Sequence, residues 1–523
     1  MQNILKKIIP YILIFSFFFV ILFSVHLSKE GFWSTDDPYY HAKHSQLMAE
    51  TGDLTLVKAW MPFHFLGYAP TDPWWGFHVL SAGFIKMFGV FIGMKVYITI
   101  LASLIFTLYF FILKDFKISK PFIWTLLFFS SSAFFQYRIL LERPLLLALS
   151  TLPLAAWLIY RQKYFWLFFL SLVFALLYNL APLVVFTAGV FFLVEAYLEK
   201  VYNLKPLITT SAGVLAGIIL HPYSSNYFYV MFIHFWQVLY LRFTGTNLNI
   251  GGEVQLKNFF NIISENAIAL LFFLISLAIF FAFAKIRKDK LTFFLFLQSG
   301  FWFLVSLLVP RAVDFWLPFA WLFIAVILPA FTRLPEYQLF SGFIKSKINL
   351  SVLKFLAIPV FLIIVFYNFF QIFDYVYKGN HGKDRDIYYQ EASEWLRQHT
   401  APEEIIFYND WGLWPRMFFF NDHNRYITGM DPTFLYEYDQ KLFWLWKNIS
   451  YDGIFCDQAD GCPLSSPRMR LSGIKSVIRE KFNANYILLE KNRGIKFKAV
   501  LENRVQDFDK VFENETLVIY RVK

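Results

Sequence analysis

Apolar runs long enough to cross a lipid bilayer recur along this chain of 523 residues. An α-helix rises about 1.5 Å per residue, so about 20 apolar residues match the hydrocarbon core of a bilayer. No soluble domain of this size can bury so much apolar surface, because 58% of the residues are hydrophobic. The sequence therefore predicts an α-helical polytopic membrane protein with about eleven spans. They are expected near residues 8–27, 92–113, 121–137, 143–160, 164–179, 181–198, 206–221, 265–284, 291–309, 312–331 and 354–374.

The basic residues indicate the orientation of these spans. They gather in short loops, among them 114–120, 200–205 and 285–290, as is typical of cytoplasmic loops. The net charge of +11 is therefore attributed to topology, and no nucleic-acid partner is expected. The first run, Ile8 to His26, is too long for the apolar core of a cleaved signal peptide. We expect a multi-pass protein of the plasma (inner) membrane with a cytoplasmic N-terminus and an external C-terminus.

Two domains are predicted from the change in composition along the chain. Residues 1–374 are expected to form the transmembrane domain, with long outer loops at 28–91 and 222–264. Residues 375–523 are polar and mixed, which indicates a soluble α/β domain on the outer face. Its predicted elements are a helix over 386–399 and short apolar strands over 405–408, 486–489 and 517–520.

Both cysteines of the chain lie in this C-terminal region. Cys456 and Cys462 flank the sequence Asp-Gln-Ala-Asp-Gly. A close cysteine pair in an outward-facing domain is typical of a disulfide formed in an oxidising compartment. Two thiols alone make a poor metal site, so the disulfide is the preferred interpretation.

Two adjacent carboxylates, Asp36 and Asp37, follow the first predicted span. Ionisable groups are costly next to lipid, which favours a function for at least one of them. A carboxylate there can act as a general base or hold a divalent cation that neutralises a phosphate leaving group. The structural alternative is a helix N-cap, because Asp followed by Pro38 is a good start for a helix over 39–50. Both can hold, with one Asp capping the helix and the other facing the site.

The same loop adds histidines and aromatic residues. His41 and His44 lie about one turn apart on the predicted helix, so they are candidate ligands or substrate contacts. A simple interfacial helix face explains them equally well. Further along, the segment from Thr71 to His78 offers another Asp and another His among aromatic residues such as Trp75. Tryptophan favours the membrane interface in any case, but aromatic planes also stack on sugar rings.

Three arginines fall in predicted outer loops at the edge of the bilayer: Arg138, Arg143 and Arg311. Basic residues in short outer loops break the positive-inside trend, so each is expected to have a local partner. Guanidinium groups offer forked donors to phosphate oxygens, which makes a lipid phosphate one candidate partner. The alternative is a salt bridge within the protein. Candidate partners are Asp36, Asp37 or Glu142 for the first two arginines and Asp314 for Arg311.

Two further candidates lie at the ends of predicted spans. His221 ends the seventh span and Glu265 begins the eighth, and each is either a helix-end residue or a ligand. All candidates are predicted to converge on one membrane face, as a site for a membrane-embedded phospholipid donor requires. The chain has no phosphate-cradling Gly loop, Walker motif, HExxH or zinc-type Cys pattern, so no nucleotide cofactor is expected.

The first-loop motif resembles a known group of enzymes. Many spans, an acidic motif after the first span and an outer C-terminal domain are similar to GT-C membrane glycosyltransferases. Within that superfamily, the run Asp36–His41 followed by Ala49–Gly52 is most similar to the catalytic subunit of oligosaccharyltransferases. Those enzymes carry a similar Asp-Pro-Tyr/Trp-Tyr/Phe-His/Asn run in their first outer loop. The resemblance implies a GT-C-like fold, catalytic roles for Asp36 and Asp37, and substrate contacts from Tyr40 and His41.

The resemblance also implies phosphate and metal contacts. Arg311 lies where the family has a donor-phosphate arginine. Glu142 loosely matches the second acidic motif, and Ser264-Glu265 resembles the Ser-Glu element of the fifth outer loop. Asp37, Glu142 and Glu265 are thereby implied as ligands of a divalent cation, Mn²⁺ or Mg²⁺, although some members of the superfamily follow this plan without one.

In the C-terminal region, the segment from Tyr408 to Trp414 partly resembles the Trp-Trp-Asp-Tyr-Gly signature of the same enzymes. In the family this signature recognises the hydroxyl of the acceptor sequon. The resemblance implies that Asp410 and Trp411 contact the acceptor. The chain departs from the signature, because the Trp pair is missing and the order of Asp and Trp differs.

The implied activity is transfer of a sugar or glycan from a polyprenyl-phosphate or polyprenyl-pyrophosphate carrier to an acceptor outside the cell. The acceptor is left open between a protein, a lipid and a polysaccharide, so a protein oligosaccharyltransferase proper is one alternative. A transporter or flippase for lipid-linked glycans is another, although it would place ionisable groups near the bilayer midplane. A non-catalytic assembly protein is the third.

Overall fold

The computed structural model describes residues 2–33, 36–57, 60–234, 264–338, 385–458 and 473–523, together with residue 248 and six residues between 359 and 370. The chain divides into two compact units that are each discontinuous in sequence. The first unit comprises Met1–Glu30, Lys95–His221 and Gly252–Gly379. The second unit comprises Gly31–Met94, Pro222–Gly251 and Asn380–Lys523.

The first unit is helical. Its helices are Gln2–Leu27, most of Val90–Asp115, Pro121–Ser130, Ala133–Leu140, Leu145–Tyr160, Tyr164–Leu177, Pro182–Leu198, Lys205–Leu220, Ala267–Ala282, Ala284–Arg287, Lys290–Leu308 and Val313–Thr332. Among the described residues, four helical segments are long and apolar enough to cross a membrane: Lys6–Leu27, Val90–Asp115, Lys290–Leu308 and Pro310–Thr332. A bent helix pair raises the number to five. Several predicted spans correspond to apolar helices of 10–17 residues, so the predicted count of about eleven is not confirmed. Most of the predicted span 354–374 lies outside the described residues.

The prediction of one continuous span over 121–137 is wrong. The structure has two helices there, Pro121–Ser130 and Ala133–Leu140, separated by Ser131 and Ser132. The Ser131 hydroxyl donates to the Phe128 carbonyl, and Ser132 Oγ accepts from the Phe135 amide at 3.1 Å, which caps the second helix. Serine side chains that bond nearby backbone groups compete with the helix ladder and favour a helix end. The second helix then meets Leu145–Tyr160 at a bend of 113°.

Two glycines allow a close approach of neighbouring helices in the first unit. Gly213 and Gly217 lie four residues apart on Lys205–Leu220 and face Tyr164–Leu177. A Cβ atom added at Gly213 would lie 2.5 Å from the Phe168 carbonyl oxygen. One added at Gly217 would lie 2.5 Å from the Leu172 carbonyl oxygen. Small residues spaced in this way are typical of tightly packed helices in membranes, where backbones touch directly.

The second unit contains a mixed five-stranded sheet. The strands are β1 Ile405–Tyr408, β2 Arg425–Tyr426, β3 Ala484–Glu490, β4 Phe508–Glu513 and β5 Leu517–Val522, in the order β2-β1-β3-β5-β4. Strand β1 pairs parallel with β2 and β3, whereas β5 pairs antiparallel with β3 and β4. The three strands predicted from apolar runs, β1, β3 and β5, are confirmed.

Helices surround this sheet. In the second unit they are Asp37–Thr51, Trp75–Phe88, Ser224–Phe232, Arg385–His399, Trp414–Phe420, Thr433–Tyr438, Gln440–Asp452, Gly473–Ser476 and Ile495–Asn503. The helix predicted over 386–399 and the first-loop helix predicted from Asp36-Asp37-Pro38 are therefore confirmed. Buried apolar side chains of the sheet, such as Phe407, Leu488 and Ile519, form one core with Trp414 and Trp446.

The first-loop helix Asp37–Thr51 is anchored to the C-terminal residues of the second unit. The Tyr39 hydroxyl donates to Asp386 Oδ2. The Arg416 guanidinium lies 3.3 Å from Asp386 Oδ1 and 5.3 Å from the centre of the Tyr39 ring. Tyr40 lies against Trp414, with ring centres 5.2 Å apart. A half-buried ion pair, a cation–π contact and a tilted aromatic contact therefore fix the orientation of the helix that carries the acidic motif.

Candidate functional site

The acidic motif lies at the start of this first-loop helix. Asp36 occupies the N-cap position and makes no side-chain cap hydrogen bond, and Asp37 is the first helical residue. Asp36 therefore occupies the N-cap position, but its side chain does not make the capping hydrogen bond. The Asp36 carboxylate contributes to the raised pKa values of Arg416 and Arg493. Asp36 thus lies within electrostatic range of Arg416 and Arg493, and Asp37 lies within electrostatic range of Tyr40.

Behind the motif, three buried side chains form a hydrogen-bonded chain. Asp72 Oδ2 lies 2.6 Å from His78 Nδ1, and His78 Nε2 lies 2.7 Å from His41 Nδ1. His44 stacks on His78 with ring centres 4.5 Å apart, and its Nε2 lies 3.6 Å from Asp72 Oδ2. The histidines at 41 and 44 come from one helix, and the one at 78 comes from Trp75–Phe88. The two first-loop helices thus bring together residues that are distant in sequence.

Burial and mutual charge determine the protonation of this group. Burial lowers the pKa of His44 to about 4, and the neighbouring His78 contributes to the same shift. For Asp72, burial opposes ionisation, but the adjacent His78 and His44 outweigh it and hold the pKa at about 2. At neutral pH the group therefore presents an uncharged imidazole at His44 and an ionised carboxylate at Asp72.

A small pocket adjoins this group. It is lined by aromatic and polar side chains, among them Tyr40, His44, Trp60, Thr71 and Trp414. Its interior volume is about 20 Å³, which is room for about one water molecule. Trp75, a predicted sugar contact, is half-buried and donates its indole N–H to the Leu54 carbonyl at 2.8 Å. That hydrogen bond fastens the loop between the two first-loop helices.

Asp410 and Trp411 lie where β1 ends. Asp410 is buried and pairs with Arg493. Its Oδ1 accepts a hydrogen bond from the Gly412 amide at 2.8 Å. Burial lowers the pKa of Arg493, but the carboxylates around it, Asp410 first among them, together raise it above its usual value. Trp411 is half-buried. The carboxylate that the sequence marked for acceptor recognition therefore has an ionic partner in the protein, Arg493, which the sequence gave no reason to select.

In the first unit, arginines gather around one aromatic side chain. Arg138, Arg143 and Arg311 all lie within electrostatic range of the Tyr178 hydroxyl, and so does Asp314. Arg138 makes two contacts with Asp314 Oδ2, at 3.0 Å from Nε and 2.9 Å from Nη2. The intraprotein salt bridge considered for Arg138 is therefore present, with Asp314 as the partner. Three guanidinium groups and one carboxylate therefore act on the same hydroxyl group.

The remaining predicted residues of the first unit lie as follows. Glu142 is fully buried, with its Oε1 3.5 Å from His26 Nδ1. His221 is buried and ends the helix Lys205–Leu220. Glu265 is half-buried and lies just before the helix Ala267–Ala282. His26 was missed by the sequence analysis, since a single histidine at the end of an apolar run carries no recognisable pattern.

The predicted metal ligands are divided between the units, with Asp37 in the second and Glu142 and Glu265 in the first. That ligand set stays a prediction. Within the described residues, His44, Asp72 and His78 form the group whose ligand atoms all lie within 4.8 Å of one another. Cys456 is buried and disulfide-bonded, while Cys462 lies outside the described residues.

Solved structures of similar fold are known. The apo form of an oligosaccharyltransferase from Archaeoglobus fulgidus superposes with a TM-score of 0.61 at 11% identity, over 92% of this chain and 69% of that one. The same enzyme tethered to an acceptor peptide containing the NVT sequon superposes with a TM-score of 0.58 at 12% identity, over 93% and 69% of the two chains. No model of a known protein family and no curated protein matches this chain. At such low identity the likeness shows a shared fold.

Proposed function

We propose that this chain is an integral membrane glycosyltransferase that uses a polyprenyl-phosphate or polyprenyl-pyrophosphate sugar donor. The observation that carries the proposal is the cluster of three guanidinium groups, Arg138, Arg143 and Arg311, around the Tyr178 hydroxyl, where Arg138 also pairs with Asp314. Charges at the ends of apolar helices are costly unless they have a function. A lipid phosphate is an anion that reaches such a position without leaving the bilayer.

The chemistry follows from this charge distribution. The bond between the anomeric carbon of the sugar and the carrier phosphate oxygen breaks, and a bond from that carbon to the acceptor forms. The leaving phosphate takes both electrons of the broken bond, so negative charge grows on its oxygens. Fixed guanidinium groups stabilise that charge in the transition state. The acceptor loses a proton to a carboxylate of the first-loop motif, Asp36 or Asp37, which acts as general base.

The shared fold supports this proposal. The oligosaccharyltransferase likeness extends over nearly the whole chain, so it includes both the helical unit and the C-terminal sheet. Fold alone does not fix function, and the proposal therefore depends on the charged residues described above. One of the similar structures holds an acceptor peptide with the NVT sequon, which favours a protein as the acceptor class to test first. A lipid or polysaccharide acceptor remains the alternative, because Asp410 is paired with Arg493.

Location and cofactor follow from the same proposal. We place the catalytic face on the outer side of the plasma membrane, with the C-terminal residues outside. A divalent cation held by Asp37, Glu142 and Glu265 would stabilise the leaving phosphate. The proposed proton transfer and phosphate binding by the residues named above do not require that cation.

The test is donor consumption by purified full-length protein in nanodiscs. Polyprenyl-phosphate and polyprenyl-pyrophosphate sugars are supplied with an NVT-containing peptide, a glycolipid or a polysaccharide. We expect wild type to consume one donor and Asp37→Asn to lose about 10²–10⁴-fold of the rate if Asp37 is the base, with Asp36→Asn testing its neighbour. Arg311→Ala is expected to lose about 10²–10³-fold.

The matched control is Arg161→Ala. Arg161 belongs to the same unit but forms a half-exposed pair with Asp115 at 2.7 Å, which contributes about 0–1 kcal/mol. Its rate should equal that of wild type. Equal rates for Arg161→Ala and Arg311→Ala would refute the phosphate assignment. If the donor moved across the bilayer without being cleaved, the protein would be a flippase and not a glycosyltransferase.

A further inference from the structure

We infer that His44, Asp72 and His78 bind one divalent transition-metal cation of the Zn²⁺ class inside the second unit. This site is separate from the metal set implied by the first-loop motif and does not depend on the glycosyltransferase proposal. It lies entirely within the first-loop segment, between the helices Asp37–Thr51 and Trp75–Phe88.

The geometry fits a metal of that size. One ligand atom from each residue lies within 4.8 Å of the other two. A tetrahedral Zn²⁺ with bonds of about 2.0–2.2 Å keeps its ligand atoms roughly 3.3–3.6 Å apart. His44 Nε2 and Asp72 Oδ2 are already 3.6 Å apart. The 2.6 Å contact between Asp72 Oδ2 and His78 Nδ1 opens by about 1 Å when the cation replaces the shared proton.

The burial of His44 is an independent indication that this group binds a ligand. The residue is 2% exposed, and within the described residues neither ring nitrogen makes a hydrogen bond of regular geometry. Asp72 Oδ2 lies 3.6 Å from His44 Nε2, and the backbone of Leu56 also lies near the ring. A buried polar atom without a good partner costs about 1–3 kcal/mol, so the fold keeps it only where something offsets that loss. Coordination of a cation satisfies the ring without moving it far.

The surrounding contacts orient the ligands in advance. His78 turns its Nε2 to His41 Nδ1 at 2.7 Å, which leaves Nδ1 directed at Asp72. The Trp74 amide donates to Asp72 Oδ1 at 3.0 Å, which leaves Oδ2 directed at the two histidines. Hydrogen bonds of this kind to the far side of metal ligands fix ring orientation and typically raise metal affinity by about 10–100-fold.

The ligand set selects the metal. Two imidazoles and one carboxylate suit Zn²⁺, Mn²⁺, Co²⁺ or Fe²⁺, whereas Mg²⁺ prefers oxygen ligands alone. Three protein ligands leave the fourth position of a tetrahedral ion for water. His44 also lines the small pocket that has room for about one water molecule, which supplies this fourth ligand. The bound ion joins the two first-loop helices.

The experiment is metal binding by purified, chelator-stripped full-length protein without any sugar donor. We expect one Zn²⁺ per chain by elemental analysis, competition with Co²⁺ that shows the visible bands of a tetrahedral site, and no competition from Mg²⁺. Asp72→Asn keeps the hydrogen bond from Trp74 and should weaken Zn²⁺ binding at least 100-fold. His41→Gln removes only the contact behind His78 and should weaken it about 10–100-fold.

The control is His423→Gln. This half-buried histidine of the second unit bonds the Thr400 carbonyl at 3.1 Å and is not one of the proposed ligands. Its Zn²⁺ affinity should match that of wild type. Gel filtration and circular dichroism of each variant establish that it is folded before binding is scored. Absence of stoichiometric Zn²⁺ from wild type, or full binding by folded Asp72→Asn, overturns the inference, and neither result bears on donor cleavage.

Discussion

The glycine contact between two apolar helices gives a prediction whose size follows from distances. Gly213→Ala would place a methyl group 2.5 Å from the Phe168 carbonyl oxygen and 2.8 Å from Ser171 Cβ. Ordinary contacts of carbon with oxygen or carbon begin at about 3.3–3.5 Å. The obstructing oxygen belongs to the backbone, so it cannot rotate away. The helices Lys205–Leu220 and Tyr164–Leu177 must therefore separate by about 1 Å.

Such overpacking costs about 1–3 kcal/mol, and alanine regains about 1 kcal/mol because it favours a helix more than glycine does. We expect Gly213→Ala to lower the free energy of unfolding by up to about 2 kcal/mol. Gly217→Ala should act similarly, because its methyl group would lie 2.5 Å from the Leu172 carbonyl oxygen. The double variant should lose less than the sum of both, since one displacement of the helix relieves both clashes.

The assay is unfolding in mixed micelles with increasing SDS, followed by tryptophan fluorescence. The matched control is Gly300→Ala on the apolar helix Lys290–Leu308, where an added Cβ meets no atom within 4 Å. That variant should be as stable as wild type or up to about 1 kcal/mol more stable. A loss of stability in Gly300→Ala equal to that in Gly213→Ala would refute the reasoning, because then the glycine itself and not the helix contact would matter.

Three further substitutions test other parts of the molecule. Gly429→Ala would place a Cβ 2.4 Å from the buried Trp414 ring and should lower the free energy of unfolding by about 1–3 kcal/mol in urea titrations. Asp314→Leu should lower the free energy of unfolding by about 3–5 kcal/mol because it removes the carboxylate that pairs with the buried Arg138, and the double variant with Arg138→Met should have a higher unfolding midpoint than Asp314→Leu alone. Burial and the neighbouring His234 lower the pKa of His64 to about 3, below the value of about 6.5 in the unfolded chain. Stability should therefore fall by about 1.4 kcal/mol per pH unit as the pH drops below 6.5, and His64→Asn should lack this part of the pH dependence when unfolding midpoints at pH 7 and pH 5 are compared.

Local patterns predicted the elements better than they predicted the contacts. The strand β1 was visible as an unbroken apolar run, and the helix Arg385–His399 by the helical spacing of its apolar residues. The short strand β2, two residues long, offers no period to detect. Three consecutive serines indicate the break between Pro121–Ser130 and Ala133–Leu140. Hydropathy averaged over the whole apolar run concealed them.

Residue type identified much of the candidate site, but not the pairing within it. His41 and His78 were selected as histidines near an acidic motif, yet their hydrogen bond requires two helices to face each other. Helical spacing relates only residues on one helix. Arg138 was expected beside Glu142 or the first-loop carboxylates, whereas its partner Asp314 lies 176 residues further along the chain. No local pattern encodes a contact at that separation.

The discontinuous second unit has a consequence for the order of events during translation. Tyr39 leaves the ribosome 347 residues before its partner Asp386. At about 5–20 residues per second, this separation corresponds to roughly 20–70 s. During that interval the aromatic face of Asp37–Thr51 lacks Trp414, against which Tyr40 packs in the finished protein. The nascent chain must therefore shelter this helix in another way, and a ribosome that stalls before the sheet is made leaves a membrane-inserted but unfinished protein for the cell to remove.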